Sequence, residues 1–107
     1  MADRNQSFFS LLGLAYRARK LISGEEIVIN AIRNNQVKLV IVAGDASERT
    51  AKTMTDKTSH YRVPMLRVSD RYHLGRAIGK PERVIVGLTD KGFSDKLLSL
   101  SDQSFRG

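Results

Sequence analysis

Apolar side chains in the first part of the chain recur at the spacing of an amphipathic helix. One side of the helical projection is apolar and the other is basic, so the pattern predicts a first helix with a basic outer face. A short extended link through Leu21 and Ile22 follows it. The expected inward residues are Phe8, Leu11, Ala15, Ala18 and Ile22, and the expected outward residues are Gly13, Arg17 and Lys20.

The stretch SGEEIVIN opens a second helix. Ser23 and Glu26 have the spacing of a capping box, in which the serine hydroxyl and the glutamate carboxylate satisfy free backbone N–H groups. Residues 37–43, VKLVIVA, are nearly all apolar and rich in β-branched side chains, which predicts a strand covered on both faces. The second helix is expected to end in the polar stretch 34–36 and to bury Ile27, Val28, Ala31 and Ile32.

A third helix is predicted after that strand. Asp45 or Ser47 is suited to cap its start, and the pattern continues to about His60. Its expected inward residues are Ala51 and Met54, and its expected outward residues are Arg49, Lys52 and Lys57.

The last part of the chain repeats the alternation of strand and helix. Residues 63–68 predict a strand whose proline suits its start or a sheet edge, and residues 83–88 predict another. Ser69 is expected to cap a short fourth helix, 70–78, which a turn at 79–81 follows. Asp90 is expected to cap a final helix that holds Phe93, Leu97 and Leu100.

Strands that alternate with helices on short connections predict an α/β fold. We expect a three-layer α/β/α sandwich with a small mixed sheet of about four strands, because helices have to cover both faces of so apolar a sheet. The length of 107 residues fits one domain, 1–107, whose tail, 101–107, is expected to fray.

The charge of the chain points to a polyanionic partner. Eighteen Lys and Arg stand against eleven Asp and Glu, which gives a formal net charge of +7. Aromatic residues make up only 7% of the chain, so the charge is expected to act on phosphates rather than to support base stacking. The absence of cysteine and of a long apolar run is typical of a cytoplasmic protein.

The sequence lacks the signals of a catalytic or metal site. His60 and His73 have no cysteine or carboxylate at metal-ligand spacing, and the glycines form no phosphate-binding loop or dinucleotide fingerprint. Asp45 alone is too little for an acidic metal pocket and is better explained as a helix cap. We therefore predict a protein that is not an enzyme and that needs no cofactor.

The order of several motifs resembles that of the kink-turn-binding ribosomal protein family, whose archetype is an archaeal large-subunit protein. The motifs are LLGLAYRARKLISGEE at 11–26, VIVAGDA at 40–46, VP at 63–64, S-x-x-x-x-L-G-x-A-x-G at 69–79, and TDKGFSDKLLSL at 89–100. The first and the last are most similar to the small bacterial YlxQ branch. The resemblance implies binding to internal RNA loops bent by tandem sheared G·A pairs, with the N-terminus of the second helix in the widened major groove.

Carried over residue by residue, the resemblance keeps the scaffold and changes the positions that contact guanine. The family's glycine is kept as Gly24. Glu26 replaces an asparagine or lysine, Ile27 a glutamate or glutamine, and Asn30 a lysine. Glu25 adds a second carboxylate, which complements the helix dipole but repels phosphate.

The resemblance implies further RNA-binding positions outside the second helix. Ser47 takes the place of an acidic residue beside a bulged nucleotide, and Ala51 is the apolar position one turn later. Arg71 matches a basic phosphate-contacting position, where its charge has little structural purpose. The loop that matches a hydrophobic clamp on an extruded base is more polar here and consists of Gly79, Lys80, Pro81, Glu82 and Arg83.

Three more cations complete the predicted surface, and the partners follow from it. Arg17, Lys20 and Arg33 are expected to add phosphate contacts. The expected partner is structured RNA, such as ribosomal RNA or another kink-turn-containing RNA, or the ribosome, and the free protein is expected to be a monomer.

Two other functions stay open at the level of sequence. Ile27 and Asn30 favour a less selective structured-RNA or ribosome-binding module. Ile27 and Ile78 can also form an apolar patch that docks a protein partner. An RNA-modifying enzyme is the least expected, because the chain contains no catalytic domain.

Overall fold

The computed structural model describes residues 4–104. Helices and strands alternate as the sequence predicted, with one strand, β1, in place of the expected extended link. The elements are α1 (Arg4–Arg17), β1 (Leu21–Ser23), α2 (Glu25–Arg33), β2 (Leu39–Ala43), α3 (Glu48–Tyr61), β3 (Met65–Val68), α4 (Arg71–Ala77), β4 (Ile85–Leu88) and α5 (Lys91–Ser104).

The strands form one mixed sheet in the order β1-β4-β2-β3. β4 is antiparallel to both of its neighbours, β1 and β2, while β2 and β3 are parallel. The central strand β2 is buried along its whole length, and Pro64 precedes the edge strand β3. The α/β prediction with a mixed sheet of four strands is confirmed.

Two apolar clusters lie on opposite faces of the sheet. Helices α1, α4 and α5 cover one face, where Phe8, Leu74 and Leu97 pack on alternate residues of β2. Helices α2 and α3 cover the other face, where Ile32 and Met54 pack on the remaining β2 residues. This division explains the unbroken apolar pattern of β2, because both of its faces are core.

The first helix is shorter than its apolar spacing predicted. It ends at Arg17, because Arg19 adopts φ 62° and the N–H of Lys20 bonds to the carbonyl of Ala15. Ala18 is consequently exposed rather than inward, and Ile22 lies in β1.

Gly13 is buried instead of facing outward. A Cβ at Gly13 would lie 2.8 Å from the carbonyl oxygen of Ala77, so this glycine allows α1 to approach α4 closely.

Two of the predicted helix caps are wrong. Ser23 is taken up by the β1–β4 ladder opposite Val86, so the chain turns at Gly24 and the capping box does not form. Ser69 adopts φ 44°, and Asp70, one residue later, accepts the N–H groups of Tyr72 and His73. Asp45, the alternative to Ser47 at the start of α3, does not cap that helix; its Oδ1 accepts the N–H of Arg71, the first residue of α4.

Two other caps follow the prediction. The Oγ of Ser47 accepts the N–H of Thr50 at 3.1 Å, and Oδ2 of Asp90 accepts the N–H of Phe93 at 2.9 Å. Within the tail that is expected to fray, α5 continues to Ser104, and Ser101 is buried with its hydroxyl donating to the carbonyl of Leu98. The rest of the predicted tail lies outside the described residues.

The strand directions give the sheet two distinct ends. At one end, which we call the Gly24 end, lie the residues after β1, β2 and β3 and those before β4. At the other, the Lys20 end, lie the residues before β1, β2 and β3 and those after β4. Helix α2 begins at the Gly24 end and ends toward the Lys20 end. No helix within 4–104 has the length and apolar character needed to cross a membrane.

Candidate nucleic-acid interface

Gly24 is the N-cap of helix α2, and no side chain bonds to the backbone N–H groups of the first turn. Gly24 has φ 105° and ψ 143°, a conformation that side chains disfavour, and its N–H donates to the carbonyl of Ile85 at 3.0 Å. A Cβ at Gly24 would meet nothing within 4 Å, so the backbone conformation and not crowding requires glycine. No side chain caps this terminus, which leaves the N–H groups of its first turn available to a ligand.

The exposed face of α2 differs from the prediction at Ile27. The buried side of the helix consists of Val28, Ala31 and Ile32, whereas Ile27 is 58% exposed. A step of one residue turns a helical side chain by about 100°, so Ile27 points away from the core that Val28 enters. Glu26, Ile27, Asn30 and Arg33 are all exposed and form an outer stripe along the helix.

Arg71 has a structural role that the sequence did not indicate. Its Nε lies 3.1 Å from Oδ2 of Asp45, its Nη2 donates to the carbonyl of Asp45 at 3.0 Å, and its backbone N–H donates to Oδ1 of Asp45. These bonds join the start of α4 to the loop after β2. Two of the five N–H groups of the guanidinium are used, which leaves three for another acceptor.

The loop between α4 and β4 folds back along α4. The N–H of Arg83 donates to the carbonyl of Arg71 at 3.0 Å, and a Cβ at Gly75 would lie 2.4 Å from the Cα of Glu82. Glu82 and Arg83 are therefore held beside α4, while Gly79, with φ 73°, ends that helix and donates its N–H to the carbonyl of Arg76. Lys80 turns toward α1, with its Nζ 5.8 Å from the centre of the Tyr16 ring.

Several predicted site residues meet in a shallow pocket at the Gly24 end. The pocket has a volume of about 160 Å³ and is lined by Gly24, Glu25, Thr50, Arg83, Val84 and Ile85. Ser47 adjoins it through its bond to Thr50, and Arg71 through its bond to Arg83. The volume is below that of typical small-molecule sites, so the pocket is better suited to a group protruding from a large ligand.

Other predicted residues lie apart from this pocket. Lys20 is at the opposite end of β1, where its carbonyl accepts the N–H of Thr89. Arg33 is in the last turn of α2, and Arg17 is in the last turn of α1. Pro81 is exposed in the loop that follows Gly79. The structure thus divides the predicted residues between two ends of the sheet.

Asp70, the N-cap of α4, has a lowered pKa. The backbone N–H of His73 is the main cause that lowers the pKa of Asp70, and the ring of His73 and the N–H of Tyr72 lower it further against a smaller opposing effect of burial. The Nδ1 of His73 is 3.2 Å from Oδ2 of Asp70. This carboxylate is thus ionised at neutral pH beside Arg71.

Sequence reasoning missed Asp45, Thr50 and Arg67 as parts of this end. Arg67 in β3 donates from Nη2 to the carbonyl of Gly44 at 2.8 Å, which ties the ends of two strands together. The isolated acid after β2 was visible in the sequence, but its partner is 26 residues away and depends on the strand register. Within 4–104 no group of three or more His, Asp or Glu residues is arranged to hold a metal ion.

The chain is similar to proteins of one known family. Residues 6–98 match the ribosomal protein L7Ae/L30e/S12e/Gadd45 family. The RNA-binding protein YlxQ of Bacillus subtilis is 56% identical over 95 residues, which are 89% of this chain and 95% of the relative. The RNA-binding protein YlxQ of Enterococcus faecium is 46% identical over 95 residues, 89% of this chain and 91% of the relative.

Solved structures show the same fold. A protein of unknown function from Bacillus halodurans has a TM-score of 0.87 and 53% identity, covering 89% of this chain and 96% of the other. A 15.5 kDa RNA-binding protein from Giardia lamblia has a TM-score of 0.79 at 14% identity, covering 94% of this chain and 86% of the other, and shows the fold alone. The chain therefore belongs to the ribosomal protein L7Ae/L30e/S12e/Gadd45 family, in its bacterial YlxQ branch, and is not an enzyme.

Proposed function

We propose that this protein binds bent internal-loop RNA of the kink-turn kind through its Gly24 end. The observation that carries the proposal is the free N-terminus of α2, which lies beside Arg83 and the exposed Ile27 in a chain of this family. Both YlxQ relatives are named as RNA-binding proteins, which supports RNA as the ligand.

The free first turn of α2 suits groups that accept hydrogen bonds. Its backbone N–H groups and helix dipole favour phosphate or base oxygens. The carboxylates of Glu25 and Glu26 in the same turn repel phosphate. A base edge is therefore a better acceptor for these N–H groups than a phosphate. A carboxylate can also accept from the amino group of an exposed guanine, which an opened, bent loop presents.

Ile27 adds an apolar contact where the family has a polar side chain. Ile27 is 58% exposed, so a base or ribose that covers it stabilises the complex by roughly 25 cal/mol per Å² of apolar surface removed from water. Arg83 lines the pocket, Arg71 bonds to it, and both supply positive charge for the RNA backbone. In this proposal α2 contacts bases and the two arginines contact phosphates.

We also propose a setting in the cell. We place the protein in the cytoplasm, in association with the ribosome or with translation, as a free monomer that binds structured RNA. Membership in a ribosomal protein family supports this setting. Lys20 and Arg33 are left out of the proposed contact surface, because they lie toward the Lys20 end.

The test is a titration against a kink-turn hairpin and the same hairpin with its G·A pairs replaced by Watson–Crick pairs, at two salt concentrations. We expect tighter binding to the kinked hairpin. Arg71→Gln should weaken it and flatten the salt dependence by about 0.7–0.9, the slope of one phosphate contact. Lys52→Gln, which removes one charge from the exposed face of α3, is the matched control and should change little.

A second pair of variants tests the contribution of α2. Ile27→Gln and Asn30→Lys restore family residue types at exposed positions and should raise the preference for the kinked hairpin. Equal binding to both hairpins that disappears with salt would contradict the proposal and favour a less selective RNA-binding module. Absence of binding to any RNA at low salt would favour a protein partner.

A further inference from the structure

The Lys20 end carries a row of exposed cations across the sheet. Lys20 precedes β1, Lys38 precedes β2, and Arg62 ends α3 shortly before β3. The N–H of Thr89 bonds to the carbonyl of Lys20 and the N–H of Lys38 to that of Leu88, which fixes the two lysines on either side of β4. With strands about 4.8 Å apart, the row spreads over roughly 14 Å. We call Arg19, Lys20, Lys38 and Arg62 the cation row.

The charges of the cation row are not used by the fold. All four side chains are exposed, and none of them takes part in an ion pair within residues 4–104. The acidic residues nearby are engaged: Asp90 accepts the N–H of Phe93, and Asp95 pairs with Lys91 at 2.8 Å and raises the pKa of that lysine. The positive charge of the row is therefore available to a partner.

Two arginines of the row occupy positions that favour glycine. Arg19 has φ 62° and Arg62 has φ 58°, each at the left-handed position that ends a helix. The equivalent positions after α2 and α4 hold Asn35 and Gly79, the residue types that fit there. Arginine costs about 1 kcal/mol in this conformation. The dipole of α1 does not require an arginine at position 19, since Arg17 already provides a cation in the last turn of that helix.

We propose that the cation row binds the phosphate backbone of a double-stranded RNA segment. Duplex RNA is recognised mainly by its shape and its phosphates, which suits a broad row of lysine and arginine side chains. The row lies at the opposite end of the strands from Gly24, so one surface leaves the other free. The protein then joins two RNA segments. This second surface goes beyond the proposed bent-loop site and does not depend on it.

The first test uses the double variant Arg19→Gly and Arg62→Gly. The probe is a fully paired RNA stem without G·A pairs, titrated at several salt concentrations. We expect an affinity loss on the order of tenfold and a salt slope flatter by about 1.4–1.8, the value for two lost phosphate contacts. Because glycine fits both backbone positions, the variant should unfold at the same or a higher denaturant concentration.

The matched control is Lys52→Gln with Arg76→Gln, which removes the same charge from α3 and α4. It should keep nearly all affinity for the plain stem. Unchanged affinity and slope in Arg19→Gly/Arg62→Gly would overturn the proposal, as would an equal loss in the control, because net charge alone would then explain binding. Loss of binding to polyglutamate but not to the RNA stem would assign the row to an acidic protein and also overturn the proposal.

A capture experiment separates the two surfaces. A kink-turn hairpin is immobilised, loaded with protein, and offered a labelled plain stem. The native chain and the control should retain the stem, and Arg19→Gly/Arg62→Gly should not, although it still binds the hairpin. If the bent-loop proposal fails, the plain-stem titration still decides on the cation row by itself.

Discussion

The two ends of the sheet differ in how their charges are arranged. At the Gly24 end, basic and acidic side chains are mixed, and Arg71 is bound to Asp45. Glu25, Glu26 and Glu82 also lie at this end. At the Lys20 end, the cation row stands free of ion pairs within the described residues. The unpaired positive charge of the cation row thus lies away from the proposed bent-loop site.

This difference suggests that the Gly24 end selects among ligands and that the Lys20 end attracts them. A charge-balanced surface with free backbone N–H groups discriminates by the position of donors and acceptors, and salt affects it weakly. An unpaired cationic surface attracts any nucleic acid backbone and is strongly salt-dependent. A basic composition therefore predicts the class of partner, but it does not locate the residues that choose among partners.

The largest expected effect comes from Gly75→Ala, which disrupts the Gly24 end alone. The new Cβ would lie 2.4–2.7 Å from backbone atoms of Glu82, so α4 and the following loop have to separate. We expect a loss of about 2–3 kcal/mol in the free energy of unfolding. Kink-turn affinity should fall and plain-stem affinity should persist.

Gly92→Ala is the control for this prediction. Its Cβ would meet only a side-chain oxygen of Asp90, at 3.2 Å, in the first turn of α5. Urea unfolding should show little change or a slight gain for this variant. Equal midpoints for the two alanine variants would refute the close packing of the loop against α4.

An intermediate effect is expected from Gly24→Asn when it is compared with Gly79→Asn. Asparagine tolerates the left-handed helix end occupied by Gly79, but the extended positive-φ conformation of Gly24 is accessible almost only to glycine. We expect losses of about 1–3 kcal/mol for Gly24→Asn and a few tenths for Gly79→Asn. Thermal unfolding measures both. Similar losses would mean that the start of α2 can adopt another conformation.

The smallest effect is expected at the cap of α4, in Asp70→Ala. The carboxylate accepts two backbone N–H groups, so its removal should lower the unfolding midpoint, while Asp70→Asn retains an acceptor and should lower it less. Because folding lowers the pKa of Asp70, the stability that it contributes is present above about pH 4 and is lost as the pH falls through the lowered value. The difference in unfolding midpoint between the native chain and Asp70→Ala should disappear at acid pH. A difference that stays constant with pH would contradict the role of Asp70 as a charged cap.

The sequence predicted the scaffold better than the site. Element order and the buried strand β2 followed from apolar spacing, because a strand with two covered faces has a distinctive composition. Ile27 was placed inward because helical spacing fixes the apolar stripe only to within about one residue, and Val28 lies on the true inner side. The capping box failed at Ser23 because strand pairing with β4 competed for the same residue.

The pairings at the site depend on long-range register, which one sequence does not reveal. Asp45 and Arg71 meet because β2 and β3 are parallel neighbours that end at the same edge. The cation row was not apparent either, since Lys20, Lys38 and Arg62 are far apart in the chain and adjacent only through the strand order.

The return of the loop along α4 has a consequence for how such a protein can change its target. Its base is fixed where Gly75 contacts Glu82 and where Arg71 bonds to Arg83, whereas a Cβ at Gly79 would meet nothing within 4 Å. The exposed Pro81 can therefore be exchanged without altering this frame, whereas an insertion at Gly79 would break the bond from the N–H of Lys80 to the carbonyl of Gly75. Libraries of altered ligand preference can thus be built by exchanging exposed side chains of this loop on an unchanged scaffold.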